Sequence, residues 1–144
     1  MNKVRQILKV KGSQVWTVSK DASLLDALTL LREKKIGALV VMDGDKPAGI
    51  FSERDYVQRV DVARQQPAAI RVESIMTKNI VTVEPGQSVN ECMELMTEKH
   101  IRHLPVLEDG RLVGIISIGD VVKDMIGELQ FMVKQLENYI TGLR

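Results

Sequence analysis

The chain has 144 residues, 44% of them apolar, with 20 Lys and Arg against 19 Asp and Glu and a net charge of +1. This is the length of one domain with enough apolar material for a core, and its interleaved charges form no basic stripe for nucleic acid. The lone Cys92 excludes an internal disulfide, no apolar run approaches the ~18 residues of a membrane span, and no signal peptide is visible at Met1–Leu8, so no membrane contact is expected and the cytoplasm is the expected compartment.

A short helical lead-in, Val4-Arg5-Gln6-Ile7-Leu8, opens the chain. Val15-Trp16-Thr17-Val18 is a β-prone run, followed by the polar break Ser19–Ala22. Ser23 with Asp26 has capping-box spacing, and behind it Leu24, Ala27, Leu28 and Leu31 share one helical face. A strand over Leu39–Met42, a turn over Asp43–Pro47 and a strand over Ala48–Phe51 come next. Ser52 then opens a second helix. Residues 61–79 connect to the rest, with a break at Pro67 and a second lead-in, Val72-Glu73-Ser74-Ile75-Met76. The same order follows: a strand Ile80–Val83, the break Glu84–Gln87, a cap at Ser88 with Glu91, and an apolar face of Val89, Cys92, Met93 and Met96. Then come a strand over Leu104–Leu107, a turn over Glu108–Arg111, a strand over Leu112–Ile116 and a helix from Ser117. Cys92 and the Met cluster read as core.

The recurrence is an ungapped repeat. Residues 15–57 fall on residues 80–122 at an offset of 65, and fourteen of the 43 aligned positions are identical. The lead-ins echo each other at an offset of 68. Two copies, each longer than a solenoid unit, indicate a duplicated half-domain rather than an array. Two such halves pack about a pseudo-two-fold axis, and a site formed by one recurs in altered form in the other. The last helix carries a stripe, Val121, Val122, Met125, Ile126, Leu129, Met132, Val133, Leu136 and Ile140, wider than one half-domain needs. Such a stripe packs on the chain's own core or on a second copy.

The block with chemical content is Gly49-Ile50-Phe51-Ser52-Glu53-Arg54-Asp55, repeated as Gly114-Ile115-Ile116-Ser117-Ile118-Gly119-Asp120. Gly at a strand end lets backbone or ligand approach. The helix that follows offers free N–H groups and a dipole favouring an anion. Ser can cap that helix or bond a phosphate oxygen. Asp one turn in can complete the cap or accept both hydroxyls of a ribose diol.

The whole pattern, over about residues 4–127, resembles a tandem pair of cystathionine-beta-synthase (CBS) domains. Its carriers are the lead-ins Ile7-Leu8 and Ile75-Met76-Thr77, the strands Trp16-Thr17-Val18 and Val81-Thr82-Val83, the segments Lys35–Val41 and His100–Val106, and both Gly-x-x-Ser-x-x-Asp blocks. The fold the resemblance implies is α/β of the α+β kind: two pseudo-symmetric β-α-β-β-α repeats intertwined as one module over 1–144, with repeats at 8–61 and 75–127 and a C-terminal helix over 128–144. It further implies a homodimer, adenosine-containing ligands (AMP, ADP, ATP, NAD or S-adenosylmethionine) in clefts between the repeats, and regulation of a separate, unidentified protein.

Carried over by position, Asp55 and Asp120 hold ribose hydroxyls and Ser52 and Ser117 face phosphate. Backbone at Val15, Trp16, Thr17, Ile80, Val81 and Thr82 reads the adenine edge, and Ile36, Ile50, Ile101 and Ile116 form apolar walls. Met76, Thr77 and Asn79 close over one cleft. Trp16 is read either as a base-stacking residue or as core. The second repeat has Arg102-His103 where the first has Gly37-Ala38, and the first has Arg54 where the second has Gly119. Each half therefore supplies one cation from a different segment, and the two clefts are expected to differ. No further ligand joins His100 and His103, so no metal is expected. No activated nucleophile or acid–base pair is visible, so a stand-alone, non-enzymatic sensor of AMP, ATP or NAD is expected; the alternative is a ligand-free interaction module acting through its last helix.

Overall fold

Four serines start the principal helices of the two repeats. The computed structural model describes residues 2–12 and 14–142. Ser23 Oγ accepts from Asp26 N–H and caps α2 (Leu24–Lys34), and Ser88 does the same for α4 (Val89–Lys99) through Glu91 N–H. Among the described residues neither carboxylate bonds back to its serine, so the two boxes expected here are one-sided. The two-sided boxes stand at Ser52 with Asp55, opening α3 (Glu53–Arg59), and at Ser117 with Asp120, opening α5 (Ile118–Gly142). α2 and α4 end alike, on Lys35 and His100 in the left-handed conformation.

Between these helices lie two antiparallel hairpins, β2 (Ala38–Asp43) with β3 (Lys46–Ser52), and β4 (His103–Glu108) with β5 (Arg111–Ser117). Their turns are tighter than expected, Gly44-Asp45 and Asp109-Gly110. Asp109, Gly110 and Gly44 have φ of 52°, 79° and 64°, the region such turns require. β1 (Thr17–Ser19) adds to the first hairpin in parallel, with Val18 opposite Val41.

The expected strand Ile80–Val83 does not form. Only a bridge survives, Val83 opposite Val106. Two prolines explain the loss. In the first half Lys20 N–H donates to Met42 C=O at 2.9 Å; its counterpart Pro85 has no N–H to give. On the other side of the bridge Pro105 replaces Val40 and removes a second ladder donor.

The lead-ins cross over. Val4 and Ile7 of α1 (Val4–Lys11) belong to a core with Val89, Cys92, Met96, Leu104, Val106, Ile116 and Val121. Val72, Ile75 and Met76 belong to the other core, with Leu24, Ala27, Leu31, Leu39, Val41 and Phe51. Backbone bonds match this exchange: Val4 N–H to Gln87 C=O at 2.9 Å, and Val72 N–H to Ala22 C=O at 2.9 Å. Each repeat thus completes its core with the segment that precedes the other. Cys92 lies fully buried, and burial with the Glu91 charge pushes its thiol up to about 11, which leaves it unreactive near neutrality.

The crossing segments explain the two glycines of the repeated block. A Cβ on Gly49 would sit 2.6 Å from Met76 Sδ and 2.7 Å from the Thr77 carbonyl oxygen. A Cβ on Gly114 would sit 2.5 Å from Leu8 Cδ2. The first obstacle includes backbone and the second is a side-chain end that can rotate. Gly49→Ala should therefore cost ~1–3 kcal/mol and Gly114→Ala clearly less. Urea midpoints test this, and equal losses would contradict it.

α5 leaves the core early. Val121 is buried and Met125 packs against the core, but Leu129, Met132, Val133, Leu136 and Ile140 are each more than half exposed. The 17 residues from Ile126 to Gly142 extend about 25 Å at 1.5 Å per residue. Of the two covers expected for the stripe, the chain's own core serves only its first part.

Candidate functional site

Alternation along β3 sets the first cleft. Phe51 points into the core and is fully buried, so Ile50 and Ser52 face the other way. Ser52 N–H donates to Asp55 Oδ2 at 2.9 Å and Asp55 N–H to Ser52 Oγ at 3.3 Å. Asp55 is 8% exposed, the one charged residue in the described core. Its Oδ1 accepts the Thr77 hydroxyl at 3.2 Å, with Arg59 Nε 3.8 Å away. Thr77 is fixed by exchanging both backbone bonds with Ile50, at 3.0 and 2.9 Å.

These groups line a cleft of about 890 Å³, within the size range of small-molecule sites. Its other wall comes from the second repeat, Lys99 to His103. The charges are uneven: Arg54, Arg59, Lys99 and Arg102 stand against Glu53 and Asp55. Arg54 Nη1 reaches the His100 carbonyl at 3.4 Å, which ties the α3 start to the opposite wall. A Cβ on Gly37 would lie 3.5 Å from the His103 ring, so the segments after α2 and α4 face each other. Burial lowers the His103 pKa, reinforced by Lys11 and Arg102 and opposed by Asp120, which keeps the ring neutral at pH 7.

The cleft gathers Gly37, Ile50, Ser52, Arg54, Asp55, Thr77, Ile101, Arg102 and His103. Arg54 of the first repeat and Arg102-His103 of the second, the cations expected from different segments, line this one cleft together. The remaining expected residues stand outside its lining. Trp16 packs against the first core with Lys34 Nζ 4.1 Å from its ring centroid, a cation–π contact. Val15 and Thr17 flank it at the start of β1. Ile36 packs on the first core, Val81 on the second, and Ala38 and Met76 are buried. Asn79 is exposed. Ile116 is fully buried and is no cleft wall. It is the counterpart of Phe51, and the residue equivalent to Ile50 is Ile115.

At the second corner Ser117 N–H donates to Asp120 Oδ2 at 2.8 Å, and Lys11 Nζ donates to the same oxygen at 2.5 Å. Burial works to raise the Asp120 pKa, but the hydrogen bonds from Lys11 and Ser117 and the Lys11 charge outweigh it and hold the carboxyl below its ordinary value.

Sequence reasoning missed Arg59, Lys99 and Lys11. Arg59 lies one turn beyond Asp55 on α3, and Lys99 ends the segment identical in both repeats at Glu-Lys. Lys11 stands at the offset of 68 from Asn79, which had been singled out.

Comparison with known proteins places this architecture. The family model of the CBS domain matches twice, at residues 4–61 and 72–127. A solved CBS-domain protein of Burkholderia ambifaria is 51% identical, with a TM-score of 0.83 over 88% of this chain and 95% of its own. The CBS domain pair of protein MJ0100, solved with 5′-methylthioadenosine and S-adenosyl-L-methionine, is 25% identical with a TM-score of 0.77, covering 89% of this chain and 98% of its own. The curated CBS domain-containing protein CBSX3 of Arabidopsis thaliana is 37% identical over 136 residues, 91% of this chain. That plant protein is named as mitochondrial, so the family does not by itself point to the cytoplasm. No described helix is long and apolar enough to cross a membrane. The chain spans 66% of the plant relative's length and 60% of another curated relative's. Two matched repeats, each completed by the other's lead-in, make the chain a member of the CBS domain family carrying its domain as a tandem pair.

Proposed function

We propose that the chain is a non-enzymatic regulatory module that binds an adenine nucleotide (AMP, ATP or NAD) in the cleft between its repeats. The observation that carries this reading is the company Asp55 keeps: one buried carboxylate beside four cations in a cleft of about 890 Å³. Asp55 has acceptor sites for a ribose diol once the neutral Thr77 hydroxyl rotates aside. Arg54 and Arg102 approach from opposite walls and suit a phosphate. The adenosine ligands of the MJ0100 pair support the ligand class. As a signalling device the module acts on another protein, and it does so as a homodimer joined through α5.

AMP at a hundredfold excess over Kd should stabilise the fold by about 2.7 kcal/mol and raise Tm by roughly 5–10 °C. Adenosine should do less, because it offers nothing to Arg54 and Arg102. The double variant Arg54→Ala, Arg102→Ala should lose ~10–100-fold or more in AMP affinity and little for adenosine. If AMP, ATP and NAD at millimolar concentration all leave Tm unmoved, the second reading gains: empty clefts and an interaction module working through the exposed face of α5.

A further inference from the structure

The two halves satisfy the same strand position in different ways. Ile50 and Ile115 are counterparts. Ile50 gives its N–H and C=O to the extended backbone of Thr77. At Ile115 the crossing segment is α1, whose backbone is committed to its own helix. Its last residue reaches instead: Lys11 Nζ donates to Ile115 O at 2.8 Å and to Asp120 Oδ2 at 2.5 Å. The pair is only partly solvated, with side chains 33% and 23% exposed. In the first half Asp55 receives a neutral hydroxyl at the corresponding place, and Asn79, the counterpart of Lys11, is exposed and makes no hydrogen bond to it.

We propose that Lys11 is the specificity-determining residue that makes the clefts unequal: it occupies the Asp120 carboxylate and shuts the ribose diol of a nucleotide out of the second cleft. The inference rests on the nucleotide reading of the Asp55 cleft and extends it. Two neutral hydroxyls cannot match what they would displace. A charge-assisted bond is roughly twice as strong as a neutral one, and a displaced Lys11 would leave the Ile115 carbonyl without its donor and the ammonium without its carboxylate. At Asp55 the diol displaces only a threonine hydroxyl. The difference therefore lies in one lead-in residue and not in the Ser-x-x-Asp corners, which are built alike.

Calorimetry with AMP on the full chain tests this. The unmodified chain should bind one AMP per chain, and Lys11→Met, which keeps the stem and removes the charge, should bind two. Lys11→Arg should stay at one. Adding Asp55→Ala should abolish binding to the unmodified chain but leave one site in Lys11→Met, and that site should be lost on adding Asp120→Asn. Two sites in the unmodified chain, or one in a Lys11→Met protein with an intact melting transition, would overturn the role of Lys11 while leaving the Asp55 cleft standing. No binding to either protein would overturn the nucleotide reading and this inference with it.

Discussion

Light scattering should give a dimer for the unmodified chain, as proposed above, and a monomer for a Met132→Asp, Leu136→Asp double variant. Val122, Met125, Leu129, Met132, Leu136 and Tyr139 alternate at spacings of three and four along α5, a heptad seam, and Ile126, Val133 and Ile140 widen it on one side. Beyond Met125 the chain has no core left to cover that seam, and Met132 and Leu136 are 53% and 63% exposed. Burying each contributes ~1.5–3 kcal/mol. An isologous contact counts each substitution twice, so the gross loss is ~6–12 kcal/mol. Even half of that raises Kd by about a hundredfold to ten-thousandfold. Placing four carboxylates along the seam adds repulsion. An unchanged dimer in the double variant would put the interface elsewhere, and a monomeric unmodified chain would remove the homodimer altogether.

How much of this was legible in the sequence depends on distance along the chain. The ungapped repeat, the serine caps and the hairpins are local or periodic, and they stand where the pattern puts them, apart from Ile80–Val83. That exception was itself readable, because Pro85 and Pro105 remove the ladder donors on either side of Val83. The crossing of the lead-ins shows in sequence only as the mismatch between offsets of 65 and 68. The cleft was the hardest part. It takes Ser52, Arg54 and Asp55 from one repeat and Ile101, Arg102 and His103 from the other, and an alignment of the repeats says which positions match but not which of them meet across the cleft. The latch at Asp120 needs Lys11 to travel 109 positions in sequence, and no periodicity announces such a contact.

Strand parity supplies the second large effect. Phe51 and Ile116 are counterparts, both fully buried, whereas Ile50 lines the cleft. Removing the Phe51 ring takes a large side chain from a core whose neighbours Leu24, Leu39 and Val41 are also fully buried, so the gap cannot close onto solvent. Phe51→Ala should cost ~3–5 kcal/mol and Ile116→Ala ~2–5 kcal/mol. Against the 5–15 kcal/mol typical of a domain, either loss takes a large share of the total. Ile50→Ala removes a partly exposed wall and should cost less in stability while weakening AMP binding. Urea denaturation in parallel with AMP titration separates the two kinds of residue. Ile116→Ala should shift the unfolding midpoint and leave the affinity of the protein that remains folded nearly unchanged. An Ile116→Ala protein with normal stability and weakened AMP binding would restore Ile116 to the cleft wall and reverse the parity assigned here.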